Sequence, residues 1–198
     1  MRIIFLGGNS SRGLSDWLEA QGEEVIYKVE KITIKHVRDA SADLIVSYNY
    51  RYIISKEIIN CVNGNAVNLH ISLLPYNKGA DPNIWSFLED TPKGVTIHYI
   101  DAGIDTGDII LQKQVYIDED KETLKSSYEI LHEEIKELFK KEWRRIKYGA
   151  ITPLPQPQGG SFHLKKDLIG FERVIQESGW GASIIELKKK YATWINQK

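Results

Sequence analysis

The sequence has a single cysteine, Cys61, and a single methionine. One cysteine excludes an internal disulfide and any metal cluster built on several cysteines, and it is typical of a reducing compartment. We interpret Cys61 as a small core residue at the end of a helix. No apolar run approaches the roughly 18 residues that span a bilayer, and the first residues indicate a strand rather than a signal peptide. We therefore expect a cytoplasmic protein with no membrane partner.

The sequence also lacks an excess of charge of either sign. Lys and Arg total 26, Asp and Glu total 27, and the net charge is -1. No global positive field is available to attract nucleic acid, so none is expected as a partner. His36, His132 and His163 have no partners at metal-ligand spacing, and no metal is predicted. A hydrophobic content of 42% over 198 residues fits one folded domain with a short appendage.

Short apolar runs alternate with helical patterns through the first half of the chain. "RIIFL", "ADLIVSYNY" and "NAVNLH" indicate strands, whereas "LSDWLEAQG" and "SKEIINCV" indicate helices, the second opened by Ser55. Alternation of this kind predicts an α/β fold that is Rossmann-like, with a mainly parallel sheet covered by helices on both faces.

The second half contains two further strands and the clearest helix. Asp81 and Pro82 predict a helix start, and "KGVTIHYID" and "IILQKQVYI" indicate strands. Apolar residues at steps of three and four predict an amphipathic helix over 122–148. The proline-rich "ITPLPQPQGG" then indicates a tether. We predict a catalytic domain over 1–150, and over 151–198 a tether and C-terminal appendage with a final helix.

Three side chains carry the chemistry. Asn68 and His70 lie two residues apart on a strand, so they point to the same face near its carboxyl end. Asp105 lies in the loop "DAGIDTGD", which we infer turns back towards His70. A carboxylate that orients an imidazole, beside an amide donor, suits acyl transfer to an amine. Each pattern alone also fits a structural hydrogen bond or turn, and we interpret His98 as a structural histidine.

Two blocks, "NLHISLLPYNKG" and "GVTIHYIDAGIDTGDIILQ", resemble blocks of the 10-formyltetrahydrofolate-dependent formyltransferase family in the same order. The resemblance runs from the first strand to about Gln112, and a further short stretch of similarity lies at "GGSFHLKKDL". It implies that Asn68, His70 and Asp105 are the catalytic triad. The amine would attack the formyl carbon of N10-formyltetrahydrofolate, Asn68 and a protonated His70 would stabilise the oxyanion, and Asp105, directly or through water, would accept the amine proton. Ile71 departs from the family's usual Pro, which we interpret as a local adjustment.

The resemblance also implies binding residues. The folate would contact the loop after the third strand and the "YIDAGID" loop, with these candidates: Tyr50, Arg51, Ile53, Asp101 and Gly103. The loop "GGNSSRG" lacks the spacing of a dinucleotide fingerprint, so NAD is not expected, but in purine-pathway members it contacts substrate phosphate. The substrate-binding candidates are Gly8, Asn9, Ser10, Arg12, Asn77 and Lys78.

The acceptor is expected to be an amino sugar. The overall amino-acid sequence most resembles the sugar N-formyltransferases and the related formylation domains of peptide synthetases. We therefore expect a nucleotide-linked deoxyamino sugar, of the 4-amino-4,6-dideoxyhexose type, for cell-surface glycan biosynthesis. The alternatives are a glycinamide ribonucleotide formyltransferase of purine synthesis and a non-catalytic folate-binding module. The short C-terminal region and the net charge disfavour methionyl-tRNA, and the absence of a preceding regulatory domain disfavours a deformylase.

The sequence leaves the state of assembly open. The C-terminal appendage carries Trp180 and Trp194, which fit either a homodimer surface or a cover for the sheet.

Overall fold

The computed structural model describes residues 1–197. Its strands are β1 (Arg2–Gly7), β2 (Glu24–Lys28), β3 (Leu44–Tyr48), β4 (Ala66–His70), β5 (Lys78–Gly79), β6 (Gly94–Tyr99), β7 (Ile109–Gln114) and β8 (Phe162–His163). Its helices are α1 (Arg12–Ala20), α2 (Ile34–Ala40), α3 (Lys56–Cys61), α4 (Pro82–Leu88), α5 (Leu124–Lys147), α6 (Glu172–Ser178) and α7 (Ile184–Ile195). Short 3-10 turns cover Asn9–Ser11 and Lys165–Leu168.

Six strands form one sheet in the order β2-β1-β3-β4-β6-β7. The neighbours β2, β1, β3 and β4 run parallel, whereas β6 runs antiparallel to β4. The predicted Rossmann-like α/β fold with a mainly parallel sheet is confirmed. Because β1, β3 and β4 are parallel, the loops that follow them leave the sheet at one edge, which we call the carboxyl edge.

The chain divides into two compact units, each built from three segments. The first unit contains 1–70, 96–111 and 139–156, and the second contains 71–95, 112–138 and the chain from 157 onwards. The predicted domain boundary after residue 150 remains a prediction.

The core of the first unit is aliphatic. Strand residues pack against one face of α3, and loop residues close the cluster. Its buried members are Ile4, Leu6, Ile32, Val37, Ile45, Ile54, Ile58, Ile59, Val62 and Ala66. Near-continuous Ile, Val and Leu in the parallel strands is the pattern of a sheet buried on both faces, so these residues fix which way each strand faces.

Two parts of the first unit differ from the sequence-based interpretation. Helix α2 was not predicted; it begins after Thr33, whose side chain accepts a hydrogen bond from the backbone N–H of His36. The proline-rich stretch, interpreted as a tether, pairs in its first part with β7. Ile109 and Leu154 exchange two backbone hydrogen bonds of 2.8 and 2.9 Å, so the chain is fixed to the sheet here.

The second unit is held by helices and an aromatic cluster. The Trp85 ring stacks on His163 with centroids 3.9 Å apart, and His163 also contacts the Glu89 carboxylate at 3.2 Å. Tyr191 meets the edge of Trp85 and, with Trp194, packs against Phe171, which is fully buried. The C-terminal helix α7 is therefore part of this unit's core.

Within residues 1–197, no helix is both long enough and apolar enough to cross a membrane. The same residues contain no group of three or more His, Cys, Asp and Glu side chains placed to hold a metal ion.

Candidate active site

The site is built first by the pairing of β4 with β6. In the antiparallel register Asn68 lies opposite His98, and His70 lies opposite Thr96. Directly opposed residues in an antiparallel pair share a face, so an amide and two imidazoles project from the same side of the sheet. The strand pairing thus adds His98 to the two residues that the sequence predicted.

The loop 101–108 brings in the third predicted residue. Asp105 adopts a left-handed backbone conformation with φ of 54°, which Asp tolerates better than most residues. Asp101 ties the loop internally by accepting hydrogen bonds from the Gly103 N–H at 3.0 Å and the Thr106 hydroxyl at 2.6 Å. Gly107 is required by close approach, because a Cβ there would lie 1.9 Å from the carbonyl oxygen of Tyr99.

These elements place Asp105 among three nitrogen-bearing side chains. Asn68 Nδ2 donates to Asp105 Oδ1 at 3.2 Å. His70 Nδ1 lies 3.7 Å from Asp105 Oδ2, and His98 Nε2 lies 3.5 Å from Asp105 Oδ1. The inferred proximity of Asn68, His70 and Asp105 is therefore observed. The 3.7 Å separation is an ion-pair distance rather than a hydrogen bond.

The tautomer of His98 fixes the orientation of the Asn68 amide. His98 Nδ1 lies 2.8 Å from the carbonyl oxygen of Tyr99, which only accepts, so Nδ1 carries a proton. In the neutral ring Nε2 is then an acceptor, and it receives a hydrogen bond from Asn68 Nδ2 at 3.2 Å. Asn68 thus directs its two amide protons to His98 and Asp105, and its nitrogen cannot exchange places with its oxygen.

The exposure of the site suits chemistry on charged groups. The His70 side chain is 8% exposed and that of Asp105 is 12% exposed. Both are therefore largely shielded from water, yet each keeps some access to solvent and ligand. Shielding strengthens electrostatic interactions with charge that develops nearby, because the local dielectric constant is lower than that of water. The cluster can orient an imidazole, accept a proton on a carboxylate and stabilise an oxyanion.

The predicted folate residues lie in the first unit, in the loops after β3 and β6. The Tyr50 hydroxyl donates to the Glu30 carbonyl and accepts from the Ile32 N–H, both at 2.9 Å, and burial raises the pKa of this phenol. Ile53 is 74% exposed, and Arg51 is exposed with its guanidinium over the Tyr52 ring. Tyr50 therefore braces the loop, whereas its neighbours present open surface.

Asp101 and Gly103, the other two folate candidates, belong to the loop that carries Asp105. Both are exposed, and the Asp101 carboxylate is already engaged by the Gly103 N–H and by Thr106. Their predicted contact with folate stays a prediction.

The glycine-rich loop after β1 carries four of the substrate-binding candidates. Asn9, Ser10 and Arg12 are exposed at the start of α1. The carbonyl of Gly8 accepts from the Tyr27 hydroxyl, whose pKa is raised by burial. Arg12 lies over the Tyr27 ring at 4.8 Å and pairs with Asp16 at 3.1 Å. The loop thus presents polar groups to solvent at the carboxyl edge.

Asn77 and Lys78, the other two substrate candidates, belong to the second unit. Asn77 is fully buried, where its amide donates to the Thr91 hydroxyl at 2.7 Å and its carbonyl oxygen accepts from the Ser161 hydroxyl at 3.1 Å. Lys78 is half-buried and pairs with Phe162 in the small parallel sheet of β5 and β8. Their predicted roles at the substrate stay predictions.

Two residues of the site were not predicted as members. His98 was interpreted as a structural histidine, and pairing the predicted strands antiparallel would have placed it opposite Asn68. Gln156 donates from Nε2 to the carbonyls of Asp105 and Gly107. No local pattern pointed to Gln156, because its partners lie some fifty positions earlier in the chain.

The model of the formyl transferase family matches residues 17–141, a span that contains Asn68, His70 and Asp105. Methionyl-tRNA formyltransferase from Lachnospira eligens is 33% identical over 133 residues, which are 67% of this chain and 42% of that protein. The enzyme of the same name from Thermodesulfovibrio yellowstonii is 36% identical over 139 residues, which are 68% and 44%. This chain therefore spans less than half the length of these relatives.

Solved structures extend the likeness over most of the chain. The formyltransferase PseJ from Anoxybacillus kamchatkensis, in complex with UDP-4,6-dideoxy-4-formamido-L-AltNAc and tetrahydrofolate, is 45% identical. The match covers 94% of this chain and 97% of that one, with a TM-score of 0.87. A 4-N formyltransferase from Francisella tularensis is 25% identical, covers 85% and 78%, and gives a TM-score of 0.75.

Proposed function

The chain belongs to the formyl transferase family, and we propose that it formylates the 4-amino group of a UDP-linked 4-amino-4,6-dideoxy sugar. The formyl donor is N10-formyltetrahydrofolate. The observation that carries the proposal is the 45% identity to PseJ over 94% of this chain and 97% of that one, because that enzyme binds a UDP-linked 4-formamido sugar together with tetrahydrofolate. The product would be a building block for cell-surface glycans.

Coverage favours the sugar over tRNA as the acceptor. The two methionyl-tRNA formyltransferases named above match at 33 and 36% identity over 42 and 44% of their length. The PseJ match is both more identical and nearly complete in the two chains. A likeness that covers nearly all of both chains includes the segments that form the acceptor site, so it is the better guide to the acceptor.

Asp105 and His70 have complementary roles in this proposal. The sugar amine would attack the formyl carbon of the donor. The bond between that carbon and N10 would then break, and tetrahydrofolate would leave with a proton on N10. Asp105 Oδ2 lies 3.7 Å from His70 Nδ1 and orients the imidazole. The same carboxylate, directly or through water, accepts the proton that the amine loses on attack.

Asn68 and His70 serve the formyl oxygen, which gains negative charge as the amine adds. Both are hydrogen-bond donors on the same face of β4, and each stabilises an oxyanion more than a neutral carbonyl. The donation of Asn68 Nδ2 to His98 Nε2 at 3.2 Å uses one amide proton and fixes the orientation of the amide. The second proton, which Asn68 donates to Asp105 Oδ1 in this structure, would turn to the formyl oxygen when the donor binds. His98 is thus a positioning residue for Asn68.

The surfaces at the carboxyl edge fit the two ligands. The exposed aliphatic side chain of Ile53 and the guanidinium of Arg51 suit a flat heterocycle such as the pterin of folate. The exposed turn at Asn9 and Ser10, with Arg12, suits the diphosphate of a nucleotide sugar, because backbone N–H groups and a guanidinium both favour anions. Tyr50, Asp101, Gly103, Gly8, Asn77 and Lys78 complete the proposed binding residues.

The test is a formyl-transfer assay read by mass spectrometry. Purified protein is incubated with N10-formyltetrahydrofolate and, separately, a UDP-linked 4-amino-4,6-dideoxy sugar, its dTDP-linked counterpart, glycinamide ribonucleotide and initiator methionyl-tRNA. We expect a gain of one formyl group on the UDP-sugar and its loss in Asp105→Asn. Formylation of the ribonucleotide or the tRNA alone would reject the sugar assignment, and no product with any acceptor would reject turnover.

A further inference from the structure

From these contacts we infer that Gln156 is a positioning residue that fixes the loop carrying Asp105 in its reactive place. The inference rests on the proposed function, because only formyl transfer makes the position of Asp105 important for catalysis. The side-chain amide of Gln156 donates from one nitrogen to two backbone carbonyls, that of Asp105 at 2.8 Å and that of Gly107 at 2.9 Å. We call this pair of hydrogen bonds the clamp. It contacts the loop at Asp105 and at Gly107.

The chemistry of the contact matches a primary amide. The nitrogen of Gln156 carries two protons, and the two carbonyls provide one acceptor each. The opposite orientation would place an oxygen against two oxygens, so the assignment of nitrogen and oxygen is fixed. The other end of the amide, Oε1, is buried without a hydrogen-bond partner among the described residues. Leaving this acceptor unpaired costs free energy, which the hydrogen bonds at the nitrogen must offset.

The clamp is itself held rigidly. Pro155 and Pro157 flank Gln156, and each fixes its own φ angle. Two residues before Gln156, Leu154 exchanges backbone hydrogen bonds with Ile109, the first residue of β7. The side chain therefore reaches the loop from a segment already tied to the sheet, which is the arrangement that holds a catalytic group most accurately.

The loop needs such a support. Asp105 has φ of 54°, and residues 101–108 form neither helix nor strand. At its far end the loop is joined to β6 by the hydrogen bond from the Tyr99 N–H to the Asp108 carbonyl at 2.9 Å. A segment outside regular secondary structure opens more easily than a strand does. Because Asp105 must stay within reach of both His70 and Asn68, even a small displacement of the loop weakens catalysis.

The experiment compares three variants with the wild type. Gln156→Ala removes the clamp, Gln156→Glu keeps the size but replaces the donor by an acceptor, and Gln158→Ala is the matched control, an exposed glutamine in the same segment. Formyl transfer, melting temperature and hydrogen–deuterium exchange by mass spectrometry are measured for each. The glutamate variant keeps the test valid if the alanine variant folds poorly.

We expect both Gln156 variants to lower kcat by about 10- to 100-fold, with KM for the amine within about twofold of wild type. Hydrogen exchange should accelerate in the loop 101–108 and stay unchanged in the strands of the sheet. Gln158→Ala should match wild type in turnover and in exchange. Wild-type kcat, or slow turnover without faster exchange in 101–108, would overturn the inference. So would a loss of activity that follows a general fall in melting temperature.

The exchange measurement separates this inference from the proposed function. If the wild type formylates none of the acceptors, the proposed function fails, but exchange in 101–108 still reports on the clamp. Faster local exchange in the Gln156 variants would then support the clamp, and unchanged exchange would overturn it.

Discussion

Two shielded carboxylates of the first unit, Glu23 and Asp105, are held by different kinds of partner. Glu23 precedes β2 and meets Lys147, the first amino group of the chain at 2.8 Å and the Trp143 indole N–H at 3.3 Å. Asp105 meets an amide and two imidazoles at 3.2 to 3.7 Å.

The difference separates a carboxylate held by permanent ion pairs from the one that we propose as the catalytic base. Burial alone would raise the pKa of Glu23, but hydrogen bonds and charge from Lys147 and the first amino group lower it. Partners that stay cationic hold Glu23 ionised and fixed. Asp105 has neither a lysine nor an amino terminus among these partners, and we propose that its carboxylate is the base for the amine.

The largest expected effect is a loss of activity without a loss of stability. Asp105→Asn keeps the size of the side chain but removes the proton acceptor, so we expect kcat/KM for the UDP-sugar to fall about 10³-fold. The melting temperature should change little. Initial rates and thermal unfolding check this, and a variant within tenfold of wild-type activity would show that another residue is the base.

The next largest effect is expected when the loop that carries Asp105 is displaced while its carboxylate is kept. In Gly107→Ala the new Cβ would lie 1.9 Å from the Tyr99 carbonyl oxygen, so the loop must shift. We expect kcat to fall about 100-fold, because displacement of a catalytic group by about 1 Å has a cost of this size. Gly181→Ala, where a Cβ meets nothing within 4 Å, is the control and should be near neutral. Equal activity of the two variants would contradict the role of the loop.

A smaller effect is expected from Arg12→Ala, which should weaken binding of the UDP-sugar without changing turnover. Arg12→Ala removes an exposed guanidinium from the turn proposed to hold the diphosphate. We expect KM for the UDP-sugar to rise about tenfold with kcat unchanged, the size of one charge-assisted hydrogen bond. Arg173→Ala removes an arginine from the same kind of exposed helical pair and serves as control. If KM stays at the wild-type value in Arg12→Ala, the diphosphate lies elsewhere.

The smallest effect on turnover comes from the other carboxylate. Glu23→Gln should leave kcat near wild type but destabilise the fold by about 1–3 kcal/mol, because a buried group loses its charged partners. Folding lowers the pKa of Glu23 below its ordinary value of 4.5. Its ionised form therefore stabilises the protein above that pH, and the stabilisation is lost as the pH falls through the folded pKa.

Unfolding in denaturant at several pH values tests this prediction. The stability difference between Glu23→Gln and wild type should be largest at neutral pH and shrink as the solution becomes more acidic. A difference that stays constant across this range would contradict the assignment of Glu23 as an ionised structural group.

The sequence predicted those parts of the site that follow from local patterns. Asn68 and His70 share a face because of strand periodicity, and the glycines around Asp105 indicated a tight loop. The family resemblance then joined the three. Helix α2 was not predicted, because "ITIKHVRDA" mixes β-branched residues with polar ones and its cap pairs Thr33 with His36 rather than with Glu or Gln.

The remaining residues of the site depend on contacts between distant segments. His98 belongs to it because β6 runs antiparallel to β4, a choice of direction that strand patterns do not specify. Gln156 belongs to it through two side-chain hydrogen bonds to a loop some fifty positions away. The prolines around Gln156 suggested a tether, whereas in the fold they restrict the backbone on either side of Gln156.

The most direct test of the central claim is the steady-state rate of formyl transfer from N10-formyltetrahydrofolate to a UDP-linked 4-amino-4,6-dideoxy sugar, measured for wild type, Asp105→Asn and Glu23→Gln. We predict turnover in the wild type and in Glu23→Gln, and a loss of about 10³-fold in Asp105→Asn. Equal rates in the two variants, or no turnover of the sugar by the wild type, would contradict the claim.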